Sequence, residues 1–241
     1  MQQVNEREAW KRMAGEAAAA LIENDMVVGL GSGSTAEYLV RALAWRLKEG
    51  LHIVGAVPSS NATAALAAQL GIPLTDLDTY PELDIDIDGA DEIDPRLSLI
   101  KGGGGALLRE KIVASAARRF VVIGDATKLV ERLGLHMPLP IEIIPFAAAP
   151  IRKKLESLGA SVQVRHSADR VFITDNSNMI LDCSFPGGIT DPVEISGRLK
   201  SIVGVVETGL FLHMAEQALI GGPDGVRVIT SENRGGSDGR H

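Results

Sequence analysis

Three segments confine this chain to a narrow set of folds. They are Gly29-Leu30-Gly31-Ser32-Gly33-Ser34-Thr35, Asp88-Gly89-Ala90-Asp91-Glu92 and Lys101-Gly102-Gly103-Gly104-Gly105. Each reads as a loop at the end of a strand. Apolar residues 26–30 lead into the first, and Tyr38, Leu39, Ala42 and Leu43 continue from it at helical spacing. Residues 53–57, 83–88 and 120–124 read as further strands, and 61–70 and 106–118 as helices. Strands alternating with helices at this spacing predict an α/β fold: a mostly parallel sheet flanked by helices. A helix over 6–22 precedes it, with Trp10, Met13, Ala14, Ala17 and Leu21 on one face and Asn5 with Glu8 as a capping pair.

The rhythm changes after about residue 134. Strands at 140–144, 161–165, 171–174, 178–183 and 203–207 and helices at 147–158 and 191–202 come close to β-α-β-β-α-β, with one strand too many. Residues 211–219 and 226–229 then return to the first unit. The expected organisation is a larger α/β domain from 1–133 and 208–230, a smaller α+β domain at 134–207, and a disordered polar tail at 231–241.

The net charge of -7 and the 4% aromatic content argue against nucleic acid as a partner. An anionic small molecule is still allowed, because backbone amides and one or two lysines can bind a phosphate inside an acidic protein. Cys183 is the only cysteine. It could be a nucleophile, but its place in an apolar strand favours plain packing. With no apolar leader and no membrane-length run, the expected setting is cytoplasmic, with no membrane partner.

The first loop offers amides at a helix N-terminus and the hydroxyls of Ser32, Ser34 and Thr35, which suit a phosphate or sugar oxygen. It is not a dinucleotide fingerprint, since the third glycine of that pattern falls at Ser34, and it lacks the Gly-Lys pair of a Walker A loop. The plain alternative is a tight turn with Ser34 as helix cap. The second loop imitates a calcium site from Asp84, but the twelfth position is Pro95 rather than Glu. Strand alternation puts Asp84, Asp86 and Asp88 on one face, with Asp88 and Asp91 at the carboxyl end of the strand, where open α/β sheets bind ligands. Asp84, Asp86, Glu92 and Asp94 read as a solvated acidic turn. The third loop has too many glycines for a structural linker. Lys101 could neutralise an oxyanion, and Glu110 on the following helix could act as a base. Taken alone, Arg109-Glu110-Lys111 is an ordinary charged helix face. Lys128 follows another strand and arrives at the same sheet edge as a candidate phosphate contact. The five histidines form no metal-ligand spacing and no G-x-S-x-G elbow is present, so no metal or cofactor is expected.

From Lys11 to Ile229 the chain resembles the A-type ribose-5-phosphate isomerases. The three loops occur in that family's order and spacing, with support from Asp125-Ala126-Thr127-Lys128, Pro138-Leu139-Pro140, Thr174-Asp175-Asn176 and Pro223-Asp224-Gly225. The resemblance implies a Rossmann-like domain with a ferredoxin-like lid. It also implies metal-free interconversion of ribose 5-phosphate and ribulose 5-phosphate in the non-oxidative pentose phosphate pathway, by a homodimer or a dimer of dimers. It assigns Glu110 as general base, Asp88 and Asp91 as acids near the sugar hydroxyls (Asp88 in ring opening), and Lys101 as oxyanion stabiliser. Ser32, Gly33, Ser34, Thr35, Gly89, Ala90, Gly102, Gly103, Gly104 and Lys128 match substrate-binding positions, and Lys11 matches a phosphate contact. Gly105 and Leu108 depart from the family's usual alanine and threonine. Two rival readings are a related sugar-phosphate or acyl-transfer enzyme, which should lack the combination of Lys101, Glu110 and D-G-A-D-E, and a sugar-phosphate sensor, which needs a DNA-binding module that is not visible.

Overall fold

The computed structural model describes the backbone of residues 2–230 and side chains from residue 6 onward. The tail expected to be disordered, 231–241, lies outside the described residues. In chain order the longer strands are β1 (Val27–Leu30), β2 (Gly55–Pro58), β3 (Ile85–Gly89), β4 (Phe120–Asp125), β5 (Leu139–Ile143), β6 (Ser161–Val164), β7 (Met179–Ser184), β8 (Val205–Thr208), β9 (Gln217–Gly222) and β10 (Gly225–Thr230). The helices are α1 (Gln2–Ala19), α2 (Ser34–Lys48), α3 (Asn61–Gln69), α4 (Leu107–Ala116), α5 (Ala148–Ser157) and α6 (Pro192–Lys200). Because α1 starts at Gln2, Asn5 lies inside the helix rather than at its cap.

A six-stranded sheet runs β10-β9-β4-β3-β1-β2. All its pairings are parallel except the β9–β10 hairpin at the edge. β1, β3 and β4 are central strands covered on both faces, so Val27–Leu30 and Phe120–Asp125 are buried along their whole length. Leu39, Leu43, Ile85, Ile87 and Val121 form one core with α1 and α2. Parallel strands all end at the same edge, so the loops after β1, β3 and β4 converge there.

β3 carries two carboxylates into this apolar setting. Asp86 is 1% exposed, not solvated, because α4 covers that face of the sheet. A Cβ on Gly29 of β1 would sit 2.5 Å from Asp86 Oδ1 and 2.7 Å from Val113 Cγ1 of α4. Glu92 is also buried. Its carboxylate accepts hydrogen bonds from the amides of Gly134 (2.5 Å), His136 (2.8 Å) and Met137 (2.9 Å), which fastens the segment leading to the second sheet. Both residues depart from the solvated turn expected of them. Asp84 and Asp94 stay near the surface, with Asp94 Oδ1 accepting from the Arg96 and Ser98 amides at 2.8 Å.

The second sheet is antiparallel, in the order β8-β5-β7-β6, and its elements follow as β5-α5-β6-β7-α6-β8. The surplus strand expected at 171–174 does not form in it, and Ile173 makes only a single bridge to Met179. Arg170–Val171 pairs with His166–Ser167 in a separate two-residue ladder. Cys183 on β7 is buried, and burial pushes its thiol up to about 12, as the packing reading requires. A small three-stranded sheet (Glu92–Ile93, Leu99–Ile100 and Leu210–Phe211) joins the acidic loop, the stem of the glycine loop and the chain returning from the second sheet. No described helix is long and apolar enough to cross a membrane.

Candidate active site

The convergent loops enclose a cavity of about 100 Å³. Every candidate residue lies on its wall except Asp88 and Lys11. A neighbouring cleft of about 580 Å³ shares Ser32, Gly33 and Gly104 with it but holds none of the four acid, base or lysine candidates.

Lys101 is at the centre. The pairing of Leu99–Ile100 sets its backbone, whose amide donates to the Gly209 carbonyl at 2.9 Å. Its side chain is 2% exposed. The ammonium donates to the Gly89 carbonyl at 2.6 Å and lies 3.0 Å from Asp88 Oδ2 and 3.4 Å from Glu110 Oε2. Neither carboxylate oxygen receives a well-directed hydrogen bond, so both contacts are ion pairs by distance alone. Phe211 lies beneath, with its ring centroid 5.4 Å from the ammonium. Burial opposes the charge on Lys101, but Asp88 and Glu110 outweigh it and hold its pKa above the usual lysine value.

Asp88 lies behind Lys101 and is fully buried. Its Oδ1 accepts from the amides of Ser32 (2.9 Å) and Gly89 (2.6 Å). This contact ties the first loop to the second and explains Gly31, where a Cβ would sit 2.1 Å from that oxygen. Burial raises the pKa of Asp88, against the opposing pull of Lys101 and the two amides. Asp91 Oδ2 accepts from the Gly103 amide at 2.7 Å, which draws the glycine loop onto the acidic loop.

The four glycines are not equivalent. Gly102 (φ 98°) and Gly105 (φ 89°) sit in the left-handed region, Gly103 is pressed against Asp91, and Gly104 faces open space. Gly105 also packs under the Phe172 ring, where a Cβ would meet Cζ at 2.4 Å.

The three consecutive charges on α4 each have a different task. Arg109 reaches the turn at 174–178, Glu110 faces the cavity, and Lys111 turns inward. The Lys111 ammonium donates to Glu207 (2.8 Å) and to the carbonyls of Thr208 (2.6 Å) and Leu210 (2.8 Å). Burial lowers its pKa, partly offset by Glu207. Glu110 is 5% exposed. Burial first, then the neighbouring Asp88 and Asp91, outweigh Lys101 and raise its pKa to about 8.

Ser34 is the first residue of α2, and Gly33 rather than Ser34 occupies the cap position. The leading amides of α2 therefore face the cavity beside Thr35. Lys128 ends a short turn (Ala126–Lys128) capped by Asp125, whose Oδ1 accepts from the Thr127 amide at 2.9 Å. Lys11 is off the wall and pairs with Glu8 at 2.7 Å. Among the described residues, no group of three or more His, Cys, Asp or Glu side chains is arranged to hold a metal ion.

Several residues at the site went unread in the sequence. Ser59 and Thr63 brace Ser32 Oγ at 2.8 and 3.3 Å. Arg165, paired with Asp182, donates to the carbonyls of Gly102 (2.6 Å) and Gly103 (3.0 Å). The rule that ligands gather at strand carboxyl ends would have flagged Ser59, which directly follows β2. No local signal marks Arg165, because the glycine-loop carbonyls it holds lie more than 60 residues away.

The family model for ribose 5-phosphate isomerase A (phosphoriboisomerase A) matches residues 55–225. The chain is 50% identical over 217 residues to ribose-5-phosphate isomerase A of Bacillus mycoides (strain KBAB4), covering 90% of this chain and 97% of that protein. It is 51% identical over 220 residues to the Roseiflexus castenholzii (strain DSM 13941 / HLO8) protein of the same name, covering 90% and 93%. The fold is similar to that of ribose 5-phosphate isomerase A from Methanocaldococcus jannaschii, with a TM-score of 0.88, 40% identity, and coverage of 92% of this chain and 99% of that one. It is likewise similar to a D-ribose-5-phosphate isomerase in complex with phospho-erythronic acid, with a TM-score of 0.90, 40% identity, and coverage of 93% and 99%.

Proposed function

Because the chain belongs to the ribose 5-phosphate isomerase A family, we infer that it interconverts ribose 5-phosphate and ribulose 5-phosphate, with Glu110 moving the carbon-bound proton. The observation that carries the assignment of roles is the buried Lys101–Glu110 pair on the cavity wall. In the aldose-to-ketose direction, the Glu110 carboxylate takes the proton from C2. The electrons form the C1–C2 double bond of an enediolate, and charge develops on O1. Lys101 and the loop amides stabilise that oxyanion. A hydroxyl proton passes from O2 to O1, and Glu110 returns its proton to C1, leaving a carbonyl at C2. Asp91, on the wall, is placed to relay the hydroxyl proton. Asp88 holds the ammonium from behind and acts on the sugar, including in ring opening, through Lys101. The α2 amides with Ser34 and Thr35, together with Lys128, receive the phosphate, and Lys11 is a more distant contributor of positive charge.

The cation facing the developing charge in this scheme is Lys101, so no metal is required. The test is conversion of ribose 5-phosphate by purified protein after EDTA treatment. Turnover that survives EDTA and falls about 10³-fold in Glu110→Gln supports the reading. Turnover that is unchanged in Glu110→Gln removes Glu110 as the base.

A place in the pentose phosphate pathway follows from the family's substrates. The single buried cysteine suits a cytoplasmic enzyme. A homodimer or dimer of dimers is supported by exposed apolar side chains at Phe146 (98% exposed) and Val203 (86%), which assembly would cover. Light scattering tests this directly, and a monomer at micromolar concentration would rule it out.

A further inference from the structure

Arg109, like Lys111, flanks Glu110 on α4 and takes no part in the chemistry above. Its guanidinium forms a three-way junction. Nε donates to Asn176 Oδ1, Nη1 to Asn61 Oδ1 and Nη2 to the Asp175 carbonyl, each at 2.9 Å. The Asp175 carboxylate lies 3.7 Å from Nη1 and accepts from the Asn61 amide at 2.9 Å. Arg109 thereby joins the start of α4, the start of α3 and the turn at 174–178 beside the second sheet.

That turn is a rigid object. The fully buried Glu142 of β5 accepts from Thr174 Oγ1 (2.9 Å), Asn176 Nδ2 (3.2 Å) and Asn178 Nδ2 (2.9 Å). Just ahead of it, Phe172 lies on Gly105, between the glycine loop and α4. Pulling the turn toward α4 therefore holds Phe172 against Gly105, just ahead of the helix that carries Glu110.

We propose that Arg109 is a positioning residue for the isomerisation: its guanidinium locks the 174–178 turn onto the first turn of α4 and so keeps the adjacent Glu110 fixed and dry. This rests on Glu110 being the base. The charged or titratable groups facing Glu110 are Lys101, Asp88, Asp91 and the deeper Asp86, and Arg109 and Lys111 flank it on its own helix. None of these changes when Asn176 is altered.

The experiment compares kcat, KM and the acid limb of kcat/KM against pH for wild type, Arg109→Gln, Arg109→Lys, Asn176→Ala and the Arg109→Gln/Asn176→Ala double variant. Freeing the turn admits water to Glu110, so the acid limb moves to lower pH. The expected result for Arg109→Gln and Asn176→Ala is this downward shift, with kcat reduced about tenfold or more and KM changed less than about threefold. Arg109→Lys keeps the charge but not the fork and should rescue only in part. The double variant should be no worse than Arg109→Gln, because both residues serve one contact. Loss of positive charge alone would move the acid limb of Arg109→Gln upward and leave Asn176→Ala at wild type. That result, or a wild-type limb in both single variants, overturns the proposal. Asn176→Ala keeps the test open if Arg109→Gln fails to fold. A wild-type protein without isomerase activity would defeat the functional reading and the clamp together, whereas an active wild type with unaffected variants defeats the clamp alone.

Discussion

Glu110 must be ionised to accept a proton, and burial opposes ionisation. With its carboxyl raised to about 8, kcat/KM should climb with pH through an acid limb near that value. A limb in the ordinary carboxylate range would mean that Glu110 is solvated in the working enzyme. The same burial has a consequence for stability. Glu110 and Asp86 both have carboxyl groups raised above their unfolded values, chiefly by desolvation, so the folded protein holds these protons more tightly than the unfolded chain. Stability from these sites is therefore fully present below the ordinary carboxylate range and declines as pH rises toward the folded values. For Glu110 that window runs from 4.5 to about 8. Thermal midpoints measured across it should fall less steeply in Glu110→Gln and in Asp86→Asn than in wild type. Asp86→Asn is the sharper test, because neither carboxylate oxygen of Asp86 has a hydrogen-bond partner. An equal slope in that variant would show that Asp86 is hydrated or ionised in the folded state.

Among the elements, the turn at 174–178 and the glycine loop carry the most consequence for their length. Glu142 is the acceptor that organises the turn. Glu142→Ala removes it from a fully buried position, strands three donors, and should cost roughly 2–4 kcal/mol. The check is a lower urea midpoint at unchanged slope. Gly105→Ala places a methyl at φ 89° and against the Phe172 ring, and should cost about 1–3 kcal/mol of stability. Normal stability in that variant would mean that Phe172 is free to move aside. The element types were legible because apolar periodicity is local: β1, α3, β4 and α5 lie within two residues of where the sequence places them. Gly55–Pro58 is offset by two residues from the expected 53–57 because Ile53, although buried, precedes the pairing that β1 offers at Gly55. The three-stranded sheet was not legible, since strands two residues long have no period to read.

On the scale of the whole molecule, Arg109, Lys111, Arg165 and Glu92 cross-link the parts built on the two sheets. They should therefore unfold together. Trp10 and Trp45 lie on α1 and α2, so their fluorescence reports the larger sheet, whereas far-ultraviolet circular dichroism reports both. Coincident urea transitions are expected, and separated midpoints would show the four-stranded sheet melting on its own. The sequence by itself determined the alternation of strands and helices, the glycine and acidic loops at strand ends, and the inventory of acids and lysines the site uses. Each is written in neighbouring residues, through side-chain periodicity and backbone freedom. Only the tertiary structure decided which carboxylates lose their water. Asp86 and Glu92 read locally like the solvated Asp94, yet both are buried, one by α4 and the other by the chain at 134–137. It also decided that Asp88 stands behind Lys101, that Lys11 stays off the cavity wall, and that Arg109 grips a turn 66 residues away. Burial and long-range contact depend on what packs against a residue from elsewhere in the chain, and a sequence window holds no record of that partner.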